Sequence, residues 1–202
     1  MEYIGDSKSP GFGLASSNLA AGTIKIRRRK VKGSIKISWL LRHGMKEVGL
    51  KYDTIGWVSI KDVLNYFNIS FVQLEEIVNK NNKKRFEMTE SSIRACQGHS
   101  RSLGLDVSAL EKSWKEYDGD YAWHGTTHEN VQKILKDGLK SMKRTHVHMA
   151  PEKESVVGKR HNTPVMLKIN VKRARMLGVK IFCSSNGVVL AREIPASCIE
   201  RE

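Results

Sequence analysis

The sequence is poor in the features that mark secreted, membrane-spanning and metal-stabilised proteins. It has three cysteines, Cys96, Cys183 and Cys198, which lie far apart without a Cys-x-x-Cys pair. We therefore expect neither a disulfide framework nor a structural zinc site. It has no apolar run of about 18 residues and no signal-peptide order at the N-terminus, so we expect an intracellular protein, cytoplasmic or nuclear, with no membrane contact.

The standard nucleotide and hydrolase motifs are also missing. No Gly-x-Gly-x-x-Gly follows a predicted strand, and no Gly-x-x-x-x-Gly-Lys-Ser/Thr loop occurs. These absences disfavour a Rossmann dehydrogenase and a P-loop kinase. The absence of a Gly-x-Ser-x-Gly elbow likewise disfavours a Ser-His-Asp hydrolase.

Acidic residues are few relative to basic ones. The chain has 35 Lys and Arg against 21 Asp and Glu, which gives a formal net charge of +14. This balance favours a polyanionic partner, with nucleic acid first. Residues 1 to 33 are interpreted as a mobile basic segment that includes most of the run IKIRRRKVKGSIK at 24 to 36. An RNA-binding arm, a nuclear-import signal and a solvated tail all stay open for it.

Residues 34 to 100 have the pattern of a small helical lobe that ends in a hairpin. Helical spacing of apolar residues predicts a first helix that places Arg42 and His43 on its polar flanks. Ser59 with Asp62, and Ser70 with Gln73, predict capping boxes before two further helices. Alternation in RFEMT and SIRAC predicts two hairpin strands. This order is typical of a winged-helix-like module.

Residues 120 to 202 favour an α+β lobe with a mainly antiparallel sheet, after a linker at 101 to 119 to which Leu110 and Trp114 could add a short helix. Strands are expected at 121 to 126, 145 to 149, 164 to 169 and 187 to 191, with a short helical stretch near 172 to 177. Thr127 is expected to cap a helix that Gly138 ends.

Arginine and histidine are concentrated in five short segments beside small residues. The segments are LLRHG at 40 to 44, IRACQGHS at 93 to 100, WHGT at 123 to 126, KRTHVHM at 143 to 149 and VGKRHN at 157 to 162. Arginine offers bidentate contacts to phosphate, and histidine moves a proton near neutral pH, so an anion site is indicated. Period two puts His146 and His148 on one sheet face, but no ligand set completes a zinc site, and no metal is expected.

Taken in this order, the segments resemble the RNA 2'-phosphotransferase family, KptA-like, over roughly residues 36 to 192. The resemblance implies a winged-helix-like RNA-binding lobe followed by an NAD-binding, ADP-ribosyltransferase-like lobe. It implies an enzyme that uses NAD as co-substrate and acts on RNA with an internal 2'-phosphate, such as spliced tRNA. The oligomeric state is open, and a monomer is the simplest expectation. The 2'-phosphate attacks the nicotinamide ribose, and a ribose hydroxyl then attacks phosphorus. The products would be 2'-OH RNA, nicotinamide and ADP-ribose 1'',2''-cyclic phosphate.

The resemblance also implies roles for individual residues. The catalytic group would be Arg42, His43, Arg94 and Arg160, with Arg144 as the alternative to Arg160. The NAD-binding group would be His124, Gly125, Thr126, His146, His148 and Ser100. The substrate-phosphate group would be Arg144, Gln97 and His99. Two positions depart from the family's usual pattern: Cys96 stands in place of Asn, and Lys159 in place of Met.

Two other functions compete with this interpretation. A protein or small-molecule mono-ADP-ribosyltransferase would often use a late glutamate, whereas residues 185 to 190 read SNGVVL and the first acid is Glu193. A catalytically silent RNA-binding module would explain the basic charge but would not need the His-Gly-Thr corner. Binding of NAD would separate the enzyme from the RNA-binding module.

Overall fold

The structure is a computed structural model that describes residues 33–159 and 163–201. Nearly all of the predicted basic segment, residues 1 to 32, lies outside the described residues, and so does Arg160. The chain mixes helices with antiparallel strand pairs, which confirms the α+β prediction. Across the described ranges, no helix has the length and apolar character needed to cross a membrane.

The first half forms three helices and a small sheet around its own core. The helices are α1 (Ser34–Trp39), α2 (Ile60–Phe67) and α3 (Phe71–Asn79), and the strands are β1 (Val58–Ser59), β2 (Phe86–Met88) and β3 (Ser92–Ala95). The sheet order is β1-β3-β2, with both pairings antiparallel. The predicted helices and hairpin are confirmed. Whether the module is a winged helix stays a prediction.

The first helix differs from its prediction in one turn. After α1 the chain winds into a π-helical turn, Leu40–Gly44, that carries Arg42 and His43. Gly44 lies so close to the Trp39 indole that a Cβ would stand 2.5 Å from the ring, so glycine allows this packing. Single π-turns are often found at functional sites. The predicted buried stripe is nonetheless present, with Ile37, Leu40 and Leu41 fully buried.

One of the two predicted capping boxes forms. The Ser70 side chain accepts from the Gln73 backbone N–H, and the Gln73 side chain accepts from the Ser70 N–H. The box predicted at Ser59 was wrong, because the Ser59 side chain makes no capping hydrogen bond to α2. Ser59 belongs to β1 and pairs with Ser92, so the sheet sets its backbone conformation.

Residues 101–119, predicted as a linker, contain regular structure. They form a 3₁₀ turn (Arg101–Leu103), helix α4 (Val107–Lys112) and strand β4 (Lys115–Glu116). Leu110 and Trp114, which were expected to contribute to a short helix, pack in a buried cluster with Phe182, Val188 and Leu190 of the second half. This segment is therefore divided: Leu110, Trp114 and β4 pack against the second half, whereas Leu103 and Leu105 belong to the core of the first half. The exact domain limits stay a prediction.

The second half is built from short antiparallel strands and two helices. The strands are β5 (Tyr121–Thr126), β6 (Leu139–Lys140), β7 (Val147–Met149), β8 (Val165–Asn170), β9 (Ile181–Cys183), β10 (Val189–Ala191), β11 (Glu193–Ile194) and β12 (Ile199–Arg201). The helices are α5 (His128–Asp137) and α6 (Val171–Met176), and a 3₁₀ turn spans Ala196–Cys198. The sheet orders are β4-β9-β10-β7, β12-β8-β5 and β11-β6. The predicted strands and the short late helix are confirmed.

The ends of α5 agree with prediction in position but differ at the cap. Thr127 precedes the helix without a side-chain capping bond, because its hydroxyl accepts from Asn130 Nδ2 at 3.0 Å. The capping role predicted for Thr127 was therefore wrong. Gly138 ends the helix with φ of 78°, and a Cβ there would stand 2.3 Å from the Ile194 carbonyl oxygen.

Candidate active site

The segment 97–101 joins the two halves at the place where most of the predicted site residues meet. The Ser100 N–H donates to the Arg42 carbonyl at 2.9 Å, and the Thr145 N–H donates to the His99 carbonyl at 3.0 Å. Ser100 and Arg144 also form an isolated antiparallel bridge. These backbone bonds bring Arg42, His43, Ser100, Arg144 and His148 into one group, called here the arginine–histidine cluster.

Arg42 is a partly buried cation that has no carboxylate partner among the described residues. Its Nε and Nη2 atoms are buried and have no hydrogen-bond partner among the described residues. Gly98, at φ of 91°, lets the guanidinium approach the backbone, since a Cβ would stand 3.1 Å from Arg42 Nε. Burial, with the charges of Arg144 and Arg85, lowers the pKa of Arg42 to about 10. The side chain therefore stays charged at neutral pH and can donate to an anion.

His43 is held by a hydroxyl. Its Nδ1 lies 2.6 Å from Ser100 Oγ, and the ring is half-buried. Burial, followed by the charges of Arg144 and Arg42, lowers the pKa of His43 below its ordinary value. His43 is consequently neutral at pH 7 and able to accept a proton.

Arg144 and His148 form the other side of the cluster. Arg144 Nη1 lies 3.5 Å from His148 Nδ1, so the arginine can only be the donor in this weak contact. The neutral ring then carries its proton on Nε2, which is buried without a partner among the described residues. Burial first, then the charges of Arg144 and Arg42, hold the pKa of His148 well below its ordinary value. His148 therefore offers a neutral hydrogen-bond donor.

The His-Gly-Thr corner lies on β5, beside β7. His124 Nδ1 donates to the His148 carbonyl at 2.9 Å, which fixes the corner next to the cluster. Gly125 allows Thr163 to approach, since a Cβ would stand 2.6 Å from its Oγ1. Thr126 is buried. The structure therefore places His124, which is predicted to bind NAD, next to the arginine–histidine cluster.

Arg94 stands apart from the cluster. Its Nε donates to Glu87 Oε2 at 2.5 Å, its Nη1 lies 3.3 Å from Ser113 Oγ, and its guanidinium stacks over Trp57. The side chain is buried, at 6% exposure. In this structure Arg94 has a carboxylate partner, so its predicted contact with phosphate stays a prediction and would require exchange of Glu87 for a phosphate.

His99 and Gln97 are more deeply buried than their predicted roles require. His99 is fully buried, neither ring nitrogen has a hydrogen-bond partner among the described residues, and Gly56 packs over Nε2. Burial, then the charges of Arg42, Arg94, His43 and His146, lowers the pKa of His99 to about 3. The predicted contact of these two residues with phosphate stays a prediction, and in this structure their neighbours would have to move.

His146 lies in a separate network. Its Nε2 lies 3.0 Å from Glu111 Oε1, and Glu111 also accepts from Arg192 Nε at 2.6 Å and Nη2 at 2.9 Å. Trp114 contacts the ring edge-on. His146 is therefore held among protein groups, and its predicted role in binding NAD stays a prediction.

Sequence reasoning missed Glu111, Arg192, Arg85 and Lys83. Glu111 and Arg192 lie 81 positions apart, so no local pattern connects them. Arg85 and Lys83 lie in the basic run before β2, and their charges act on Arg42 or on each other. The Lys-Lys-Arg run beside a hairpin was the available signal.

As for metals, residues 33–159 and 163–201 contain no group of three or more His, Cys, Asp or Glu arranged to hold an ion.

Comparison of the sequence with known proteins identifies the family to which the chain belongs. Residues 28–193 match the model of the "RNA 2'-phosphotransferase, Tpt1 / KptA family". A protein of Herpetosiphon aurantiacus is 35% identical over 184 residues, covering 87% of this chain and 98% of the relative. A protein of Thermococcus kodakarensis is 33% identical over 184 residues, with the same coverage of both chains. Both are named "Probable RNA 2'-phosphotransferase". Because the family model spans most of the chain and these relatives match nearly end to end, the chain belongs to the RNA 2'-phosphotransferase family, a family of transferases.

Proposed function

We propose that this chain removes an internal 2'-phosphate from RNA by transferring it to ADP-ribose from NAD. The products are 2'-OH RNA, nicotinamide and ADP-ribose 1'',2''-cyclic phosphate. Family membership supports the removal of a 2'-phosphate from RNA. The observation that carries the proposal is the pair of buried, unpartnered nitrogens of Arg42 in a cluster that also holds Arg144. A phosphate would give these donors the acceptor that the described part of the protein does not supply.

The neighbouring corner fits NAD by its chemistry. His148 Nε2 is a buried donor without a described partner, and His124 is fixed beside it through the His148 carbonyl. The role proposed for His124, Gly125, Thr126, His148 and Ser100 is to hold the ribose and pyrophosphate of NAD. When bound, NAD supplies an activated ribose carbon with nicotinamide as its leaving group. The phosphate nucleophile needs no carboxylate base, since it is already ionised at neutral pH.

Arg42 and Arg144 hold the RNA 2'-phosphate and offset its charge as the bonds to phosphorus change. Fixed donors aimed at developing charge are among the largest contributions to catalysis. Arg160 or Arg94 would add a further cation. Because Arg42 is kept charged at a partly buried position, its interaction with phosphate is less screened than in water.

His43 moves the proton in the transesterification. The ribose oxygen that leaves phosphorus must gain a proton, and the attacking hydroxyl must lose one. A histidine that is neutral at pH 7 can take up a proton and return it, and Ser100 orients its ring through Nδ1.

The two halves fit the lobes of the proposed enzyme. Three helices and a three-stranded sheet, with β1 between α1 and α2 and the β2-β3 hairpin after α3, support a winged-helix-like RNA-binding lobe in the first half. Short antiparallel strands around the His-Gly-Thr corner support an NAD-binding, ADP-ribosyltransferase-like lobe in the second. Spliced tRNA is the proposed natural substrate. The enzyme is proposed to be intracellular and to act as a monomer.

The experiment incubates the protein with NAD and a short RNA bearing one internal 2'-phosphate, and analyses the RNA and nucleotide products by mass spectrometry. Loss of the phosphate together with ADP-ribose cyclic phosphate is expected for the unchanged protein and for the surface control Arg173→Ala. Arg42→Met should give neither product. ADP-ribose that remains on the RNA would contradict the second step. RNA binding without NAD consumption would instead indicate the RNA-binding module.

A further inference from the structure

A row of positive side chains continues from the arginine–histidine cluster into the loop before β2. Arg144 and Arg85 each lower the pKa of Arg42, and Arg85, Arg42 and Lys159 each add to the effect of burial in lowering the pKa of Lys83. Arg85 therefore lies close enough to act on both Arg42 and Lys83. Lys83, Arg85 and Lys159 are called here the hairpin-loop cations.

Neutral groups hold the hairpin-loop cations in place. Asn81 Oδ1 accepts from both the backbone N–H and Nη1 of Arg85 at 3.2 Å, and Asn81 itself is buried. Lys83 Nζ donates to the Lys159 carbonyl at 3.3 Å. The Lys83 carbonyl accepts from Asn186 Nδ2 at 2.9 Å. Three separate segments of the chain are thus tied together at this loop.

The carboxylate two positions after Arg85, that of Glu87, is already engaged. Glu87 pairs with Arg94 and also accepts from the Ser185 hydroxyl. Within the described part of the chain, no carboxylate forms an ion pair with Lys83 or Arg85, and none contributes to their pKa shifts. Fixed like charges repel, so this arrangement is best stabilised by an anion that binds them together.

We propose that Lys83, Arg85 and Lys159 form a second phosphate subsite, which binds a phosphodiester of the RNA strand flanking the nucleotide that carries the 2'-phosphate. This inference rests on the proposed function. The pyrophosphate of NAD has the same chemistry, but RNA is favoured by position. The charges that lower the pKa of His148, beside the NAD corner, are those of Arg144, Arg42, His146 and His124, whereas Arg85 acts on Arg42, and Arg85 and Lys159 act on Lys83.

The test compares Lys83→Ala/Arg85→Ala with Arg173→Ala/Lys180→Ala, a control that removes the same charge from exposed positions. Steady-state constants are measured for NAD, for a 2'-phosphorylated octanucleotide and for a nucleoside 2'-monophosphate. We expect the double variant to raise KM for the octanucleotide about tenfold, with kcat and KM for NAD unchanged. The nucleoside 2'-monophosphate, which has no phosphodiester, should show little change. The salt slope of kcat/KM should fall by about 0.7 for each RNA phosphate that the variant no longer neutralises.

Other outcomes would overturn the inference. A raised KM for NAD alone would assign the subsite to pyrophosphate, and equal effects in the control pair would reduce it to net charge. The variant Lys83→Arg/Arg85→Lys keeps both charges, so its KM for the octanucleotide should stay near that of the unchanged protein. A raised KM in this variant would contradict a charge-based role. If the unchanged protein lacks phosphotransferase activity, the proposed function fails. RNA affinity measured by fluorescence anisotropy without NAD then still decides the subsite.

Discussion

His148 lies in β7 and His146 directly before it, yet their surroundings differ. His146 contacts Glu111, which also accepts two hydrogen bonds from Arg192, so positive and negative groups balance there. Each ring has one buried nitrogen without a described partner, but His148 lies near Arg144 and Arg42 and has no described carboxylate partner. The comparison teaches that a carboxylate neutralises the arginine and histidine beside His146, which then serve to stabilise the fold. Beside His148 no described carboxylate does so, and the side chains can bind the anion of a ligand.

The same contrast appears in the pKa values. Burial acts to raise the pKa of Glu111, but hydrogen bonds from Arg192 and His146 bring it below its ordinary value. At Arg42, burial and neighbouring cations both lower the pKa, and no described carboxylate opposes them. Folding thus favours the charge on Glu111 and disfavours the charge on Arg42. Glu111 should therefore stabilise the fold, and Arg42 should bind the ligand.

Arg42→Met should give the largest effect. Activity on 2'-phosphorylated RNA should fall about 100-fold or more, because a donor to the reacting phosphate is lost. The free energy of unfolding should stay equal or rise, since a partly buried cation without a described carboxylate partner is removed. Kinetics and urea unfolding measure the two quantities. A large loss of stability would contradict the assignment of Arg42 to the ligand.

Glu111→Gln should give the opposite pattern. The free energy of unfolding should fall by about 2 kcal/mol, because a charged acceptor shared by two donors is removed at a buried position. Activity measured well below the melting temperature should change little. The matched control is Glu193→Gln in the exposed pair with Lys140, where the loss should be close to zero. A loss of activity without a loss of stability would break the comparison.

Ser100→Ala should lower kcat about tenfold, a general-base effect smaller than the loss of Arg42. Without the hydroxyl, His43 Nδ1 loses the partner that orients its ring. The pH profile of kcat should shift, whereas Ser102→Ala at a neighbouring exposed position should leave it unchanged. Ser100→Thr keeps a hydroxyl and should restore part of the rate, and no rescue would argue against a positioning role.

The smallest effect concerns stability against pH. Burial lowers the pKa of His99 to about 3, so the unfolded chain binds a proton near pH 6.5 while the folded protein does not. This contribution to stability is present above pH 6.5 and is lost as pH falls below it. It should amount to about 1 kcal/mol between pH 7 and roughly pH 5.5. His99→Gln should flatten the urea-unfolding curve against pH, whereas His128→Gln, at an exposed position, should not.

Most of the regular elements could be predicted from the sequence because their signals are local. Helical spacing located α1, α2 and α3, and alternation located the hairpin of β2 and β3. The capping box at Ser70 formed because its partners lie three residues apart. The box at Ser59 did not form, because strand pairing with Ser92 decides that residue's conformation. The π-turn at 40–44 depends on packing of Gly44 against Trp39, which the helical period does not express.

The sequence by itself determined the family, the α+β class and the segments in which arginine and histidine meet small residues. Those properties depend on residue type and short spacing. Only the tertiary structure decided which of these side chains has a carboxylate partner. Glu87 forms an ion pair with Arg94, and Glu111 contacts both His146 and the distant Arg192. Neither glutamate contacts Arg42 or His148. The Glu87–Arg94 pair lies across the β2-β3 hairpin, whereas Glu111, His146 and Arg192 come from three distant segments. Charge compensation at Glu111 therefore depends on distances of a few ångströms that arise only when these segments pack together.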